Sequence, residues 1–223
     1  MVNKQKILML DTAMDGCGVA VFDAQRDQVF EIYNDESYGQ AQRLVPMVQE
    51  VLGQADVSFD DLSDVIVCNG PGTFTGIRIG LATAGTFGLA LEVPVHSITS
   101  LQALALCASL EEGGSDFLTL VETRRQDFYC QYFDEKGNPQ SDSQSLMQDN
   151  IVFGDCLLIG NAVLRFDPNG DYTHSKISRI DVGLIARLFA SDRACFSSDI
   201  SPIYLRAPDV SQPKNKPRTL SDI

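Results

Sequence analysis

The sequence predicts an α/β fold, and three observations carry that reading. Three short apolar runs follow one another near the N-terminus with only turn residues between them. Helical and strand-like patterns then alternate, giving the order β-β-β-α-β-α-β-α over roughly the first 110 residues. At the centre of that order, residues 64–91 (DVIVCNGPGTFTGIRIGLATAGTFGLAL) read as a buried strand, a Gly-Pro-Gly loop and a helix almost bare of bulk. With 223 residues and 44% hydrophobic content, the chain can bury a full core, as one large domain or two small ones.

Taken in order, Lys6 to Thr12 (KILMLDT) is an apolar strand ending in a carboxylate and a hydroxyl. Cys17 to Asp23 and Gln28 to Asn34 follow as strands, separated by turns at Asp15-Gly16 and around Ala24 to Asp27. Between Gln40 and Leu52 the residues Leu44, Val45, Met47, Val48, Val51 and Leu52 recur at helical spacing, and Gly53 can end that helix. Pro46 removes a backbone donor inside it, so a kink near Gln42 is expected. The strand from Val65 to Cys68 and the glycine-rich helix come next. Pro94 to Ile98 is a strand, and Ser100 to Ser109 a helix with Ser100 as its expected N-cap.

Glu111 to Ser115 (EEGGS) reads as a linker. The second half opens with strands over Asp116 to Glu122 and Asp127 to Asp134. A polar, loop-like stretch follows over residues 135–150, then a short strand from Leu157 to Gly160. Asp181 to Ser191 is a helix with Asp181 as its cap. The segment from Gln212 to Ile223 carries two prolines and three basic residues and is expected to be mobile.

In the central helix Gly76, Gly80, Ala84 and Gly88 recur every fourth residue, with Gly85 beside them, and so share one side. The four helical glycines together cost about 4 kcal/mol relative to alanine. The expected compensation is close backbone approach by another element, either within the domain or from a second chain. Arg78 and the glycines argue against reading residues 77–91 as a membrane span.

Charge narrows the function classes. Seventeen basic against 30 acidic residues leave a net charge of −13, a poor balance for gripping nucleic acid unaided. The six cysteines are scattered, without a C-x-x-C pair, and read as small buried hydrophobes. The two histidines, His96 and His174, lack a second ligand at metal spacing. The Gly70 to Gly76 loop lacks the Lys-Ser/Thr pair of a P-loop and misses the dinucleotide fingerprint by one residue. A helix N-terminus still offers amide donors, so Gly70, Gly72 and Thr73, with Asp11 and Thr12 nearby, stand either as a residual phosphate site or as structural turns.

The combination of ILMLDT, of Gln42-Arg43-Leu44-Val45-Pro46-Met47, and of NGPGTFTGIRIGLATAGTFGLAL resembles the TsaB/YeaZ family. PVHSITSLQALA and the later PIYLR (Pro202 to Arg206) fit the same family. The resemblance implies two actin/Hsp70-like (ASKHA, ribonuclease H-like) lobes, with mixed central sheets flanked by helices and the second lobe reduced. The lobes would span residues 1–110 and 111–206, followed by a tail at 207–223.

It further implies a cytoplasmic scaffold without chemistry of its own, in the machinery that makes threonylcarbamoyladenosine in tRNA. Its partners would be a TsaD-like catalytic subunit and a TsaE-like ATPase, with a homodimer when alone, and tRNA would be met only through the complex. No catalytic residue, metal or required cofactor is implied, although ADP or ATP could lie at the partner interface. The seam would comprise Leu44, Met47, Val48 and Val51 with Gly76, Arg78, Gly80, Ala84, Phe87 and Gly88. The catalytic paralogue's H-x-x-x-H metal motif aligns with Ser100 and Leu104, neither able to replace an imidazole. The sequence departs from many relatives at Glu122-Thr123-Arg124 and Asp127, where they carry Asp-Ala-Arg and Glu. Two enzymatic readings compete: a small ATPase or phosphotransferase using Asp11, Thr12 and the Gly70 to Gly76 loop, and a metal-dependent glycopeptidase.

Overall fold

The computed structural model describes residues 5–123 and 125–206. The N-terminal meander forms as three antiparallel strands, β1 (Lys6–Asp11), β2 (Cys17–Asp23) and β3 (Gln28–Asn34). Two further strands, β4 (Asp64–Cys68) and β5 (Val95–Ile98), run parallel to β1, so the first sheet has the mixed order β3-β2-β1-β4-β5. Parallel strands need crossover connections, and the two helices before β4 and β5 supply them. These are α1 (Gln40–Ala55) and α2 (Phe74–Leu91), which share a core with Leu8, Leu10, Val19, Val21, Val65 and Val67 on one face of the sheet.

The opposite face, bearing Ile7, Met9, Ala20 and Ile66, packs against α3 (Ser100–Glu111) and α5 (Val182–Ser191). Helix α3 is buried all round from Ser100 to Ala108, because a second sheet lies on its far side. That sheet has the order β8-β7-β6-β9, built from β6 (Phe117–Glu122), β7 (Asp127–Phe133), β8 (Gln144–Met147) and β9 (Leu157–Ile159). Phe117, Phe133 and Ile159 join Ile7 and Met9 in one continuous apolar cluster. The outer face of the second sheet is covered thinly, by Ile151, Phe153 and the single-turn helix α4 (Val163–Phe166). The result is an α/β fold with two mixed sheets and flanking helices.

Several expectations need correction. Helix α1 runs through Gly53 to Ala55 and ends where Asp56 adopts a left-handed conformation, with Pro46 inside it. Thr99, not Ser100, caps α3, its hydroxyl accepting from the Gln102 amide. Strand β8 lies inside the stretch expected to be loop, paired to β7 at Phe128↔Leu146 and Tyr129↔Ser145. Helix α5, assigned from sequence to the second lobe, returns to the first sheet and packs on β1, β2 and β3. The chain then runs back along β5, where Ser97 and Ser197 exchange backbone hydrogen bonds. The tail expected to be mobile lies outside the described residues.

Candidate functional site

The loop read as a residual phosphate site is filled by the chain itself. Asp11, at the end of β1, is 4% exposed, and its Oδ1 accepts from the Ala13 amide at 2.9 Å. Burial pushes its carboxyl above the usual range, against the pull of that bond and of Cys68. The Thr12 hydroxyl donates to Gly76 O at 2.7 Å, and the Thr73 amide donates to Ala13 O at 2.7 Å. Thr73 Oγ1 in turn accepts from the Gly76 amide, capping α2. Gly70, held at φ +99°, gives its carbonyl to the Ser100 amide. The five candidate phosphate residues do come together, and Asp11, Thr12, Gly70 and Thr73 bond their neighbours Ala13, Gly76 and Ser100. A β-carbon at Gly72 or Gly76 would overlap the carbonyls of Ala13 and Thr12, so α2 rests directly on the turn after β1.

That contact also redirects the glycine stripe. At Gly80 a β-carbon would lie 2.6 Å from Thr12 Oγ1, and at Gly88 it would overlap Val95. Gly76, Gly80, Ala84 and Gly88 therefore face the first sheet of their own chain. Leu44, Met47, Val48 and Val51 are likewise buried in that core. Phe87 is half-buried against Phe59, with ring centroids 5.4 Å apart. Of the ten residues assigned to a partner seam, Arg78 alone is exposed.

The face that α2 leaves uncovered is a second row at the same spacing: Arg78, Ala82, Thr86 and Ala90, all exposed. Two residues advance a helix by about 200°, so this row lies opposite the stripe. Leu89 beside it is 85% exposed, and Val45 and Pro46 show on the adjoining helix α1. Only Gly76, Ile77, Gly80 and Ala84 of α2 are buried. By length and composition α2 could cross a membrane, yet here it lies along a sheet.

The positions aligned with a metal motif, Ser100 and Leu104, are fully buried within α3. Among the described residues no group of three or more His, Cys, Asp or Glu could hold a metal ion. His96 bonds Asp64 at 3.2 Å and His174 bonds Asp167 at 2.7 Å, in separate parts of the fold. All six cysteines are free, and burial raises the Cys17 and Cys107 thiols to about 12, too high for a reactive thiolate.

One feature was missed in the sequence. Residues 197–206 form a strap across the start of α2. The Asn69 side-chain amide donates to Ser201 O at 3.0 Å, and the Ile203 amide donates to Asn69 O at 2.8 Å. Tyr204 stacks on Phe74 and accepts from Arg78 Nε at 3.1 Å. Arg206 then pairs with Asp127 of β7 at 2.9 Å, where Thr123 and Ser145 also bond the carboxylate. PIYLR was visible as a motif, but its target lies more than a hundred residues away.

A family model described as TsaD, tRNA N6-adenosine threonylcarbamoyltransferase, matches residues 36–151, just over half of the chain. Over 135 residues the chain is 33% identical to the Escherichia coli (strain K12) tRNA threonylcarbamoyladenosine biosynthesis protein TsaB, covering 59% of this chain and 57% of that protein. The chain belongs to the TsaB/YeaZ family. Its Bacillus subtilis (strain 168) TsaB relative is 34% identical over 100 residues, covering 44% of this chain and 43% of the other. The matches thus span about half the length of these TsaB relatives. YeaZ from Pseudomonas aeruginosa shares the fold, with a TM-score of 0.76 at 23% identity, covering 90% of this chain and all of that one. The described TsaB/YeaZ fold therefore includes both sheets and the α1–α2 face.

Proposed function

We propose that this chain is a non-catalytic scaffold and activator in the pathway that places threonylcarbamoyladenosine in tRNA. Its outer α1–α2 face docks a TsaD-like catalytic subunit, and a TsaE-like ATPase joins the pair. The single observation carrying this reading is the exposed row of α2. An 18-residue helix with one charged side chain and four buried residues leaves small and apolar groups facing outward, a surface suited to a second helix pair. Membership of the TsaB/YeaZ family and the names of its TsaB relatives support this choice of partner and pathway.

The absence of imidazoles at positions 100 and 104 supports a role without chemistry. No cofactor is required in this reading; any ADP or ATP sits between subunits rather than on the Gly70 to Thr73 loop, where the Thr73 amide and hydroxyl oxygen are bonded to Ala13 and Gly76. In isolation the chain pairs with itself through the same face, and tRNA is met only through the catalytic subunit. The site of action is the cytoplasm.

The test is co-expression with the TsaD-like subunit of the same host, followed by sizing and a tRNA modification assay with each component omitted. The reading expects a stable heterodimer and loss of modification when this chain is left out. Modification by the catalytic subunit and the ATPase alone would overturn it.

A further inference from the structure

Arg78 is the only charged residue on α2, in a chain whose net charge is −13. No described carboxylate pairs with it. Its guanidinium lies 3.6 Å over the Phe74 ring, Nε donates to the Tyr204 hydroxyl, and the Tyr204 ring stands beside it at 6.0 Å. Phe74 and Tyr204 stand 5.2 Å apart and are themselves partly exposed, at 43% and 38%. Tyr204 cannot swing freely, because the strap is bonded to Asn69 on one side of it and to Asp127 on the other. The side chain is thus held by its Nε and its flat face, while the two terminal nitrogens make no hydrogen bond among the described residues.

We propose that this aromatic-braced fork is the anchor for a carboxylate on the protein partner that docks over α2. The inference rests on the partner reading above and specifies its chemistry. Two terminal N–H groups at the edge of a planar guanidinium match the two oxygens of an Asp or Glu side chain, and such charge-assisted pairs exceed neutral hydrogen bonds in strength. Bracing lowers the entropy lost when the pair forms, and Arg and Tyr set among apolar contacts are the usual composition of an interface anchor. The surroundings favour a protein over an RNA phosphate. Ala82, Thr86 and Leu89 continue the face without another cation, and the overall charge repels a polyanion.

The test measures affinity between the full chain and the TsaD-like subunit by calorimetry, for wild type, Arg78→Met, Arg78→Lys and Tyr204→Phe. Arg78 is exposed, so circular dichroism melts of the four proteins should stay close together. Arg78→Met is expected to weaken binding about tenfold to a hundredfold, the range for a hydrogen bond to a charged group. Arg78→Lys, which keeps charge but not the fork, should recover only part of that loss, and Tyr204→Phe should show a smaller one. A scan of the partner's exposed acids to amides should find one whose effect disappears in the Arg78→Met background. Unchanged affinity in Arg78→Met with wild-type binding intact overturns the anchor alone. Loss of tRNA binding by the assembled pair, with heterodimer affinity unchanged, assigns the fork to phosphate and also overturns it. Failure of the wild type to bind the subunit removes the anchor and the partner reading together.

Discussion

Gly80 separates two accounts of the bare helix. If its lack of a side chain served a foreign helix, a leucine there would spare the fold and abolish pairing. Because its α-carbon faces Thr12 and Val67, Gly80→Leu is expected instead to cost at least about 3 kcal/mol and to yield little folded protein. A denaturant titration decides this, and a wild-type midpoint would contradict the packing described. Asp11 is the second informative residue. Its folded-state pKa is raised by burial, so the unfolded chain ionises first as pH climbs, and stability falls between the ordinary carboxylate range and the folded value. Asp11→Asn keeps an acceptor for the Ala13 amide and removes the charge. It should raise stability at neutral pH, give no gain in acid, and leave complex-dependent tRNA modification intact. An ATPase using Asp11 would lose activity in that variant.

At the scale of the element, α2 carries a glycine-rich row and, on the opposite face, a row of Arg78, Ala82, Thr86 and Ala90, and which row meets the sheet decides its use. Ala82→Glu combined with Leu89→Glu places charges on the exposed row. The double variant should melt as wild type and fail to co-purify with the catalytic subunit; retained pairing would show that the partner lies elsewhere. The exposed row was not read from the sequence; the glycine row was legible there as a repeat of four, but a repeat does not say which side is covered. That depended on Thr12 and Ala13, whose carbonyls abut the glycines from a distant turn. Strands β1 to β7 and β9 were legible because their runs are rich in apolar or aromatic residues and bounded by turn residues. Strand β8 (QSLM) was not, since an edge strand half open to water needs little hydrophobic signal. The α1 end was misread because Gly53 faces open space, where glycine is tolerated within the helix, while the left-handed residue fell three positions later at Asp56.

Across the whole molecule, the strap links the second sheet to the partner face, through the Arg206–Asp127 ion pair at one end and the Tyr204–Arg78 hydrogen bond at the other. Its far end is Asp127, where burial raises the carboxyl pKa but bonds from Ser145 and Thr123 and the charge of Arg206 outweigh it, leaving it lowered. Such a group contributes stability above its unfolded pKa and loses it as pH falls through the folded value. Asp127→Asn should therefore destabilise the chain by about 1–3 kcal/mol at neutral pH and by progressively less in acid, read from melts across pH. The strap was illegible in advance because irregular segments have no period, and its partners are far apart in the chain, as with Asn69 and Ser201, separated by 132 residues.

The central claim is that this chain acts by lending a helical face to a catalytic paralogue, and a reconstituted tRNA modification assay tests it most directly. Wild type and Ala82→Glu/Leu89→Glu should be compared at equal folded concentration, each with the TsaD-like subunit, the TsaE-like ATPase and their substrates. The account predicts full modification with wild type and background with the variant, in parallel with loss of the heterodimer on sizing. Equal modification by both, or modification with this chain omitted, would contradict it.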